Sequence, residues 1–461
     1  MKEVSAPSKK VHFVSLGCPK NLVDTEIMLG SLMRDGYQVV ESAEDADTVI
    51  VNTCGFIEAS KQESLDKLME MAALKKTAGV QKVIAAGCLT QRYKEDLVEG
   101  LPEADLFVGS GQFQNIAKIL RESKAGNTEK KFFHLPTYLQ EDSTPRVNSQ
   151  PRHRAYLKIS EGCKKRCAFC AIPLIRGDLQ SRGLKSILSE SKLLVAGGVK
   201  ELIVISHDFT DFGWDLRKQN VAAKESPDEL LRVLAEESGA EWIRVLYLYP
   251  DGVSGKTLKL IREKTNLVKY FDMPLQHINS EVLKKMNRRM TREKIESTLA
   301  DIRGQIPEAV LRTQFIVGYP GETEQHFQEL LRFVDDMKFD RVGCFMYSQE
   351  ENTRAGTLPN QVDEKTKQRR HDTLMELQQK ISGSKQKEWI GRTIDVVVEG
   401  VSEETDLLLV GRHSQQAPEI DGVTYINEGE AKIGEIVRVE ITDAMDYDLV
   451  GGIVPSYGSP S

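Results

Sequence analysis

Strand-like and helix-like stretches alternate along most of this 461-residue chain. In its first part, short apolar runs such as "TVIVNTC" (Thr48–Cys54) and "KVIAAG" (Lys82–Gly87) are separated by longer stretches such as Ile57–Ala73. Continuous apolar strands that alternate with helices are typical of a parallel sheet, because helices cover both of its faces. The first part is therefore predicted to be an open parallel α/β sheet.

A second alternation follows the polar segment Glu122–Arg152, which is interpreted as a linker. Its six strand-like runs are Tyr156–Ile159, Glu201–Ser206, Trp242–Leu248, Tyr270–Met273, Arg312–Val317 and Arg341–Tyr347. Six βα units in series indicate a full or partial barrel, with its chemistry at the carboxyl ends of the strands.

The C-terminal part has a different pattern. After the charged helical run Asp363–Glu388, the segments "TIDVVVEG", "DLLLVG" and "GEIVRVEIT" predict a small all-β, OB-like barrel. The fold class is thus α/β with a small β-barrel appended. The predicted domains are residues 1–135 (open sheet), 136–385 (barrel of βα units) and 386–461 (small β-barrel).

Composition limits where such a chain works. Hydrophobic residues make up 40% of it and charged residues 28%, and no run reaches the roughly 18 apolar residues that a membrane helix needs. The start, "MKEVSAPSKK", lacks the apolar core of a secretory signal. The cysteine count of seven is odd, which is typical of a reducing compartment. A cytoplasmic protein without membrane contact is expected.

Charge is distributed unevenly. The chain carries −7 overall, but the stretch from Gly391 to Ser461 has four basic and fourteen acidic residues, a net charge of −10. Phosphate neutralisation dominates nucleic-acid affinity, so an acidic domain would repel RNA and attract a basic protein. A solvated acidic surface without a partner is the alternative interpretation.

Three cysteines lie within eight residues in "GCKKRCAFC", immediately after the first predicted barrel strand: Cys163, Cys167 and Cys170. Zinc sites usually take four protein ligands, and no second cysteine pair is evident. Thiolates favour iron–sulfur clusters, and three of them leave one iron open for another ligand. A cluster is favoured, with zinc or ordinary buried thiols as alternatives.

A second trio, Cys18, Cys54 and Cys88, is spread over the first part of the chain. Each cysteine lies at or just past the end of a different predicted strand, and each adjoins a glycine. Since the carboxyl ends of parallel strands share one edge of a sheet, the three can converge there. Scattered buried cysteines are the alternative.

The spacing C-x3-C-x2-C, with Phe169 before the last cysteine, resembles the radical S-adenosylmethionine (SAM) enzymes. The resemblance implies a [4Fe–4S] cluster on Cys163, Cys167 and Cys170, whose open iron binds the amino and carboxylate groups of SAM. Reductive cleavage of SAM would then give methionine and a 5′-deoxyadenosyl radical. The protein's share is to position the reactants and exclude water.

Together, the two trios resemble the methylthiotransferases among these enzymes. That family combines an N-terminal cluster domain, a radical SAM barrel and a C-terminal TRAM domain, in the order predicted here. "IPLIRGDLQSR" (Ile172–Arg182) and "IVGYPGET" (Ile316–Thr323) also resemble its barrel motifs. The family implies a second [4Fe–4S] cluster on Cys18, Cys54 and Cys88, where sulfur or a methylthio group would be held.

The segment "SLGCPKNLVDTEIMLG" (Ser15–Gly30) resembles the branch of this family that methylthiolates the β-carbon of an aspartate in ribosomal protein S-twelve. The acidic tail favours the same branch, whose substrate is a basic protein rather than tRNA. The resemblance implies an electron donor such as flavodoxin or ferredoxin. The alternatives are a tRNA adenosine methylthiotransferase and, from another class, an iron–sulfur sensor or RNA-binding protein without turnover.

SAM contacts follow from the resemblance residue by residue. Besides Phe169, the candidates lie after the second and fourth barrel strands: Ser206, His207, Asp208, Gln276 and His277. A glutamine is usual in this branch at the position of His207, and a structural histidine is the alternative there. A loop that only packs the barrel rim is the alternative for Gln276 and His277. No catalytic residue beyond the cluster ligands is assigned.

Overall fold

The computed structural model describes residues 9–125, 127–137, 139–141, 144–219 and 225–454. Within these ranges, no helix is long and apolar enough to cross a membrane. The described chain forms three structural units in the predicted order.

The N-terminal unit is an open parallel sheet, as predicted. Its strands follow the order β2-β1-β3-β4-β5-β6, and each neighbouring pair is parallel. Its elements are β1 (Lys10–Ser15), α1 (Pro19–Arg34), β2 (Gln38–Val39), β3 (Thr48–Thr53), α2 (Glu58–Thr77), β4 (Lys82–Gly87), α3 (Cys88–Gly100), β5 (Leu106–Gly109), α4 (Ile116–Lys124) and β6 (Lys131–Phe132).

The middle unit is built from βα repeats. Its strands are β7 (Arg154–Lys158), β8 (Ser160–Glu161), β9 (Gln180–Ser181), β10 (Glu201–Ile205), β11 (Trp242–Val245), β12 (Tyr270–Gln276), β13 (Val310–Val317) and β14 (Arg341–Met346). Its helices are α5 (Ile172–Arg176), α6 (Leu184–Ala196), α7 (Trp214–Lys218), α8 (Pro227–Glu237), α9 (Gly255–Glu263), α10 (Ser280–Lys285), α11 (Arg292–Gln305), α12 (Glu324–Met337) and α13 (Glu364–Lys387).

Two parallel sheets form a partial barrel in this unit. Their orders are β7-β10-β11 and β12-β13-β14, and a bridge between Ile243 and Leu267 joins them. In the described chain, β7 and β14 are the outer strands and do not pair with each other. The barrel is therefore partial, with an open side between its first and last strands.

The N-terminal unit packs against the inner face of this barrel. Along β10, Leu202 and Val204 belong to the core under the outer helices, whereas Ile203 and Ile205 belong to the core that contains Val23 of α1. Successive side chains of a strand point to opposite faces, so α1 lies on the inner side. One hydrophobic core is thus shared by the two units.

The C-terminal unit is a closed barrel with the strand order β15-β16-β17-β19-β18 in the described residues, which agrees with the predicted small barrel. Its strands are β15 (Thr393–Val401), β16 (Leu409–His413), β17 (Thr424–Glu428), β18 (Ile436–Ala444) and β19 (Leu449–Ile453). Helix α13 runs across the boundary expected at residue 385, and the domain limits themselves stay a prediction.

Buried ion pairs attach the C-terminal barrel to the amino ends of the βα strands. Glu399 accepts from Arg154 Nη1 at 2.7 Å and from Arg412 at 2.5 Å, and its Oε1 lies 3.1 Å from His153 Nε2. Arg412 also donates to Glu201, the first residue of β10, at 2.7 Å. Burial opposes the charge of Glu399, but His153 and the two arginines lower its pKa to about 2. The acidic barrel therefore lies opposite the carboxyl ends.

We expect Glu399→Gln to lower the free energy of unfolding by about 3 kcal/mol at neutral pH. The substitution removes the negative charge that compensates the buried guanidinium groups of Arg154 and Arg412. Since the folded pKa of Glu399 is below the ordinary value, this stabilisation is present above about pH 4.5 and is lost as pH falls towards about 2. Urea denaturation of wild type and variant at several pH values measures it. An unchanged midpoint at pH 7 would contradict the interpretation.

Candidate metal centre

The N-terminal cysteines follow three neighbouring strands. Cys18 precedes α1 as its N-cap, Cys54 directly follows β3, and Cys88 is the first residue of α3, directly after β4. Strands β1, β3 and β4 are adjacent and parallel, so their carboxyl ends meet at one edge. The structure brings the three segments together as the strand-end argument predicts.

Two glycines allow this close approach. Gly17 has φ +88°, and a Cβ there would lie 2.8 Å from Cys54 Cβ and 3.0 Å from its Sγ. A Cβ on Gly55 would lie 2.7 Å from Leu89 Cα and 3.2 Å from the carbonyl carbon of Cys88. The three cysteine segments are therefore in direct contact, at distances that only glycine permits.

The second trio lies in the loop after β8. Cys163 N donates to Gly177 O at 3.2 Å, and Cys170 N donates to Cys167 O at 3.1 Å. Between them, Ala168 N donates to Met286 O at 2.8 Å. These backbone bonds tie the loop to α5 and α10, so the cysteines are held in place by the barrel.

The two trios approach each other in the interior. Cys88 forms a small buried cluster with Ala171, which directly follows Cys170, and with Ile175 of α5. Arg176 Nη2 at the end of α5 donates to Cys88 Sγ at 3.2 Å. The carboxyl edge of the N-terminal sheet thus faces the cysteine loop of the barrel.

Burial dominates the electrostatics of the thiols. It raises the pKa of Cys88, Cys163 and Cys170 to about 12. At Cys88, Arg176 opposes this shift, while Cys18 and Cys54 add to it. Such thiols ionise only beside strong positive charge, which iron supplies on binding.

A neutral set of buried charges surrounds Arg176. Its Nη1 lies 2.5 Å from Asp24 Oδ2 and 3.4 Å from Glu161 Oε2. Lys158, at the end of β7, pairs with Asp24 and lies 3.0 Å from Glu161. These four residues are at most 4% exposed. They join α1 of the N-terminal unit to β7, β8 and α5 of the barrel.

The donor set fits clusters better than single ions. In the described chain, no group of three or more His, Cys, Asp or Glu side chains is arranged to hold one metal ion. In a cluster each thiolate binds a different iron, so its cysteines need not converge on one point. All-sulfur ligation is also the donor chemistry that iron–sulfur clusters use.

The residues predicted after β10 lie next to the barrel cysteines. Ser206 Oγ and His207 Nδ1 are buried and have no hydrogen-bond partner among the described residues. Burial, followed by Lys20, lowers the pKa of His207 to about 3, so its imidazole is neutral. Burial and Asp211 raise the pKa of Asp208 to about 6, and its Oδ2 lies 3.4 Å from Lys165. Unpartnered atoms beside a cysteine loop are suited to bind a polar cofactor.

The other predicted SAM contacts differ in environment. Phe169 packs in the cluster around Met286 and Tyr319. Gln276 has φ +73° at an irregular end of β12. His277 is fully buried, its Nδ1 accepts from Asn279 N at 3.0 Å, and its Nε2 has no hydrogen-bond partner among the described residues. Contact of these residues with SAM stays a prediction.

Two basic residues lie near the barrel cysteines. Arg288 Nη1 lies 3.8 Å from Cys167 Sγ and its guanidinium lies 4.5 Å from the ring centre of Tyr249. Lys165 Nζ lies 4.0 Å from the same ring. Lys165 stands inside the cysteine motif, so its positive charge beside the cysteines is predictable from the sequence, whereas no local signal marks Arg288.

Known proteins match nearly the whole chain. Residues 10–109 match Uncharacterized protein family UPF0004, residues 157–334 the Radical SAM superfamily and residues 390–454 the TRAM domain. Ribosomal protein uS12 methylthiotransferase RimO from Bdellovibrio bacteriovorus is 65% identical over 454 residues, which cover 98% of this chain and 99% of the relative. The chain belongs to the RimO family. RimO from Geotalea uraniireducens is 47% identical over 447 residues, 97% of this chain and 99% of the relative.

A solved structure shows the same fold at low identity. The radical SAM methyltransferase TsrM from Kitasatospora setae has a TM-score of 0.55 and 15% identity, and the match covers 73% of each chain. The predicted family is confirmed by the RimO relatives. Radical SAM membership implies SAM and a [4Fe–4S] cluster.

We expect Gly17→Ala to impair iron binding at the N-terminal cysteines, because its Cβ would displace Cys54. Gly36→Ala is a matched control, since Gly36 has φ +82° but no atom within 4 Å of an added Cβ. Iron content and visible absorption after anaerobic reconstitution distinguish the two. Equal iron content in both variants would contradict the steric argument.

We expect Arg176→Met to lower the free energy of unfolding by about 3 kcal/mol, because Asp24 and Glu161 would keep only Lys158 as a buried counter-charge. Chemical denaturation measures the loss. Adding Glu161→Gln should recover part of the stability, since it restores one anion for one cation. A double variant no more stable than Arg176→Met would contradict charge balance as the cause.

Proposed function

We propose that this chain attaches a methylthio group to the β-carbon of an aspartate in ribosomal protein uS12 (ribosomal protein S-twelve). The observation that carries the proposal is the meeting of two cysteine trios across Arg176 and Cys88, in a chain 65% identical to a protein named RimO. A methylthio transfer needs two reactive groups side by side, one to remove hydrogen and one to supply sulfur.

The proposed roles follow the two trios. Cys163, Cys167 and Cys170 hold the cluster that, with bound SAM, supplies hydrogen abstraction. Cys18, Cys54 and Cys88 hold a second [4Fe–4S] cluster that presents sulfur, and a further molecule of SAM supplies the methyl group. The glycine contacts at Gly17 and the all-cysteine donor set support this second assignment.

The chain's own groups position SAM and keep the site dry in this proposal. Ser206 and His207 offer unpartnered polar atoms to the cofactor, while Phe169 packs beside the cysteine loop. The neutral imidazole of His207 can accept or donate one hydrogen bond without adding charge. Gln276 and His277 remain further candidates from the resemblance.

Charge at the C-terminal barrel supports a basic protein as the substrate. Of its four basic residues, Arg412 is buried in ion pairs, which leaves three exposed basic residues, Arg392, Lys432 and Arg438, against eleven exposed acidic residues. Such a surface favours a cationic partner and disfavours RNA. A flavodoxin or ferredoxin donor and a cytoplasmic location belong to the same proposal, and tRNA is the competing substrate.

The reconstituted enzyme with SAM and reductant should add a methylthio group to an aspartate of uS12 and leave unmodified tRNA bare. Mass spectrometry of both substrates, incubated side by side, measures this. A methylthio adduct on tRNA adenosine would contradict the proposed substrate. If no 5′-deoxyadenosine were released, the proposal that the protein is an enzyme would be contradicted, and a sensor or binding protein would be favoured.

The two trios should be separable by substitution. Cys163→Ala should abolish 5′-deoxyadenosine release and methylthio product together, because it removes a ligand of the SAM-binding cluster. Cys54→Ala should retain much of the 5′-deoxyadenosine release and lose the methylthio product. Chromatography of the nucleoside and mass spectrometry of uS12 give the two readouts. Full product from Cys54→Ala would contradict the second cluster.

A further inference from the structure

The loop after β14, residues 348–358, contacts both cysteine-bearing regions. At one end, Glu350 reaches the N-terminal unit. At the other end, Ala355 N donates to Ala168 O at 2.8 Å, between Cys167 and Cys170. We call residues 348–358 the spacer loop. One short segment thus touches the supports of both trios.

Glu350 is bound on both carboxylate oxygens. Its Oε1 accepts from Glu58 N, the first residue of α2, at 2.9 Å. Its Oε2 lies 2.8 Å from Arg92 Nη1 and 3.3 Å from Lys61 Nζ. The side chain is 2% exposed. The carboxylate therefore fixes the start of α2, four residues after Cys54.

Arg92 connects this contact with the segments that carry Cys54 and Cys88. It lies on α3, the helix that begins with Cys88. Its Nη1 donates to Gly55 O at 2.8 Å, and its Nη2 donates to Glu351 O at 3.1 Å. One guanidinium joins the helix of Cys88, the backbone after Cys54 and the spacer loop.

Hydrogen bonds and close packing within the spacer loop stabilise its conformation. Thr353 Oγ1 donates to Glu350 O at 2.7 Å and accepts from Gly356 N at 3.1 Å. Gly356 packs so closely on the carbonyl of Glu350 that a Cβ there would clash. The distance between Glu350 and Ala355 is therefore fixed by the loop itself.

Glu350 and Arg92 add a contact on the far side of the barrel's opening. Asp24, Lys158 and Arg176 join the N-terminal unit to β7, the first barrel strand, and the shared hydrophobic core continues along the inner faces of β10, β12 and β13. Glu350 and Arg92 join the unit beyond β14, the last barrel strand. The contacts close to the two cysteine trios therefore lie on both sides of the opening.

We propose that the spacer loop sets the separation and orientation of the two cysteine trios, with Glu350 as its positioning residue. The inference rests on the proposed function, in which hydrogen abstraction at one trio must be followed by sulfur capture at the other. Misplacement of about 1 Å can cost about a hundredfold in rate, so coupling of the two steps depends on this spacing.

The test uses Glu350→Gln in the reconstituted full-length enzyme, because it removes the charge and keeps the shape. Iron content and 5′-deoxyadenosine release should stay within about twofold of wild type. The ratio of methylthio-uS12 to 5′-deoxyadenosine should fall about tenfold or more. Arg92→Lys, a milder change, should lower the same ratio and serves if Glu350→Gln does not fold.

Glu399→Gln is the matched control. It also neutralises an ion-paired carboxylate between two units, but at the opposite end of the barrel. A merely structural role for Glu350 would affect both variants alike. The product ratio of Glu399→Gln should equal that of wild type, even though its stability falls.

Pulsed EPR of the doubly reduced protein gives a readout that does not need uS12. The magnetic interaction between the clusters should change in Glu350→Gln and not in Glu399→Gln. An unchanged product ratio and unchanged interaction in Glu350→Gln would overturn the inference, as would equal changes in both variants. If wild type left uS12 unmodified, the proposed function would fail, and the EPR comparison would still decide the spacing.

Discussion

The structure depends most on one neutral set of four buried charges: Asp24, Lys158, Glu161 and Arg176. Each carboxylate faces two cations and each cation faces two carboxylates, so the group can be buried only when α1 lies against β7 and α5. Removing one member leaves a charge without compensation, which is costly in a buried site. Through Arg176 the group also touches Cys88, so the contact that joins two folding units also positions a proposed cluster ligand.

The direction of the strands determines where the cysteine trios and the C-terminal barrel lie. The carboxyl ends of the N-terminal sheet face the carboxyl end of the partial barrel, where the two cysteine trios meet. The acidic barrel docks at the amino ends of the same βα strands through Glu201 and Glu399. A six-residue strand spans about 20 Å. A substrate held by both regions must therefore reach along at least that length.

The sequence predicted those features of the structure that depend on residues close to one another in the chain, such as the bounds of some strands. Strand Lys82–Gly87 has the predicted bounds. The run Trp242–Leu248 is apolar apart from Arg244, yet the strand ends at Val245, because Tyr247 turns at φ +63° and donates its N–H to Asp272. The polar segment read as a linker contains Arg146, which is buried against Glu26 and Glu190, partners 120 and 44 residues away. Such long-range pairing leaves no local pattern, and the same holds for Glu350.

The central claim is that two clusters lie side by side, one on each cysteine trio. Anomalous diffraction at the iron edge from crystals of the anaerobically reconstituted protein tests it most directly. Two iron peaks are expected, on the two sides of the Arg176 contact. One should be bounded by Cys163, Cys167 and Cys170, and the other by Cys18, Cys54 and Cys88. A single peak at the barrel trio, with Cys18, Cys54 and Cys88 bound to no iron, would contradict it.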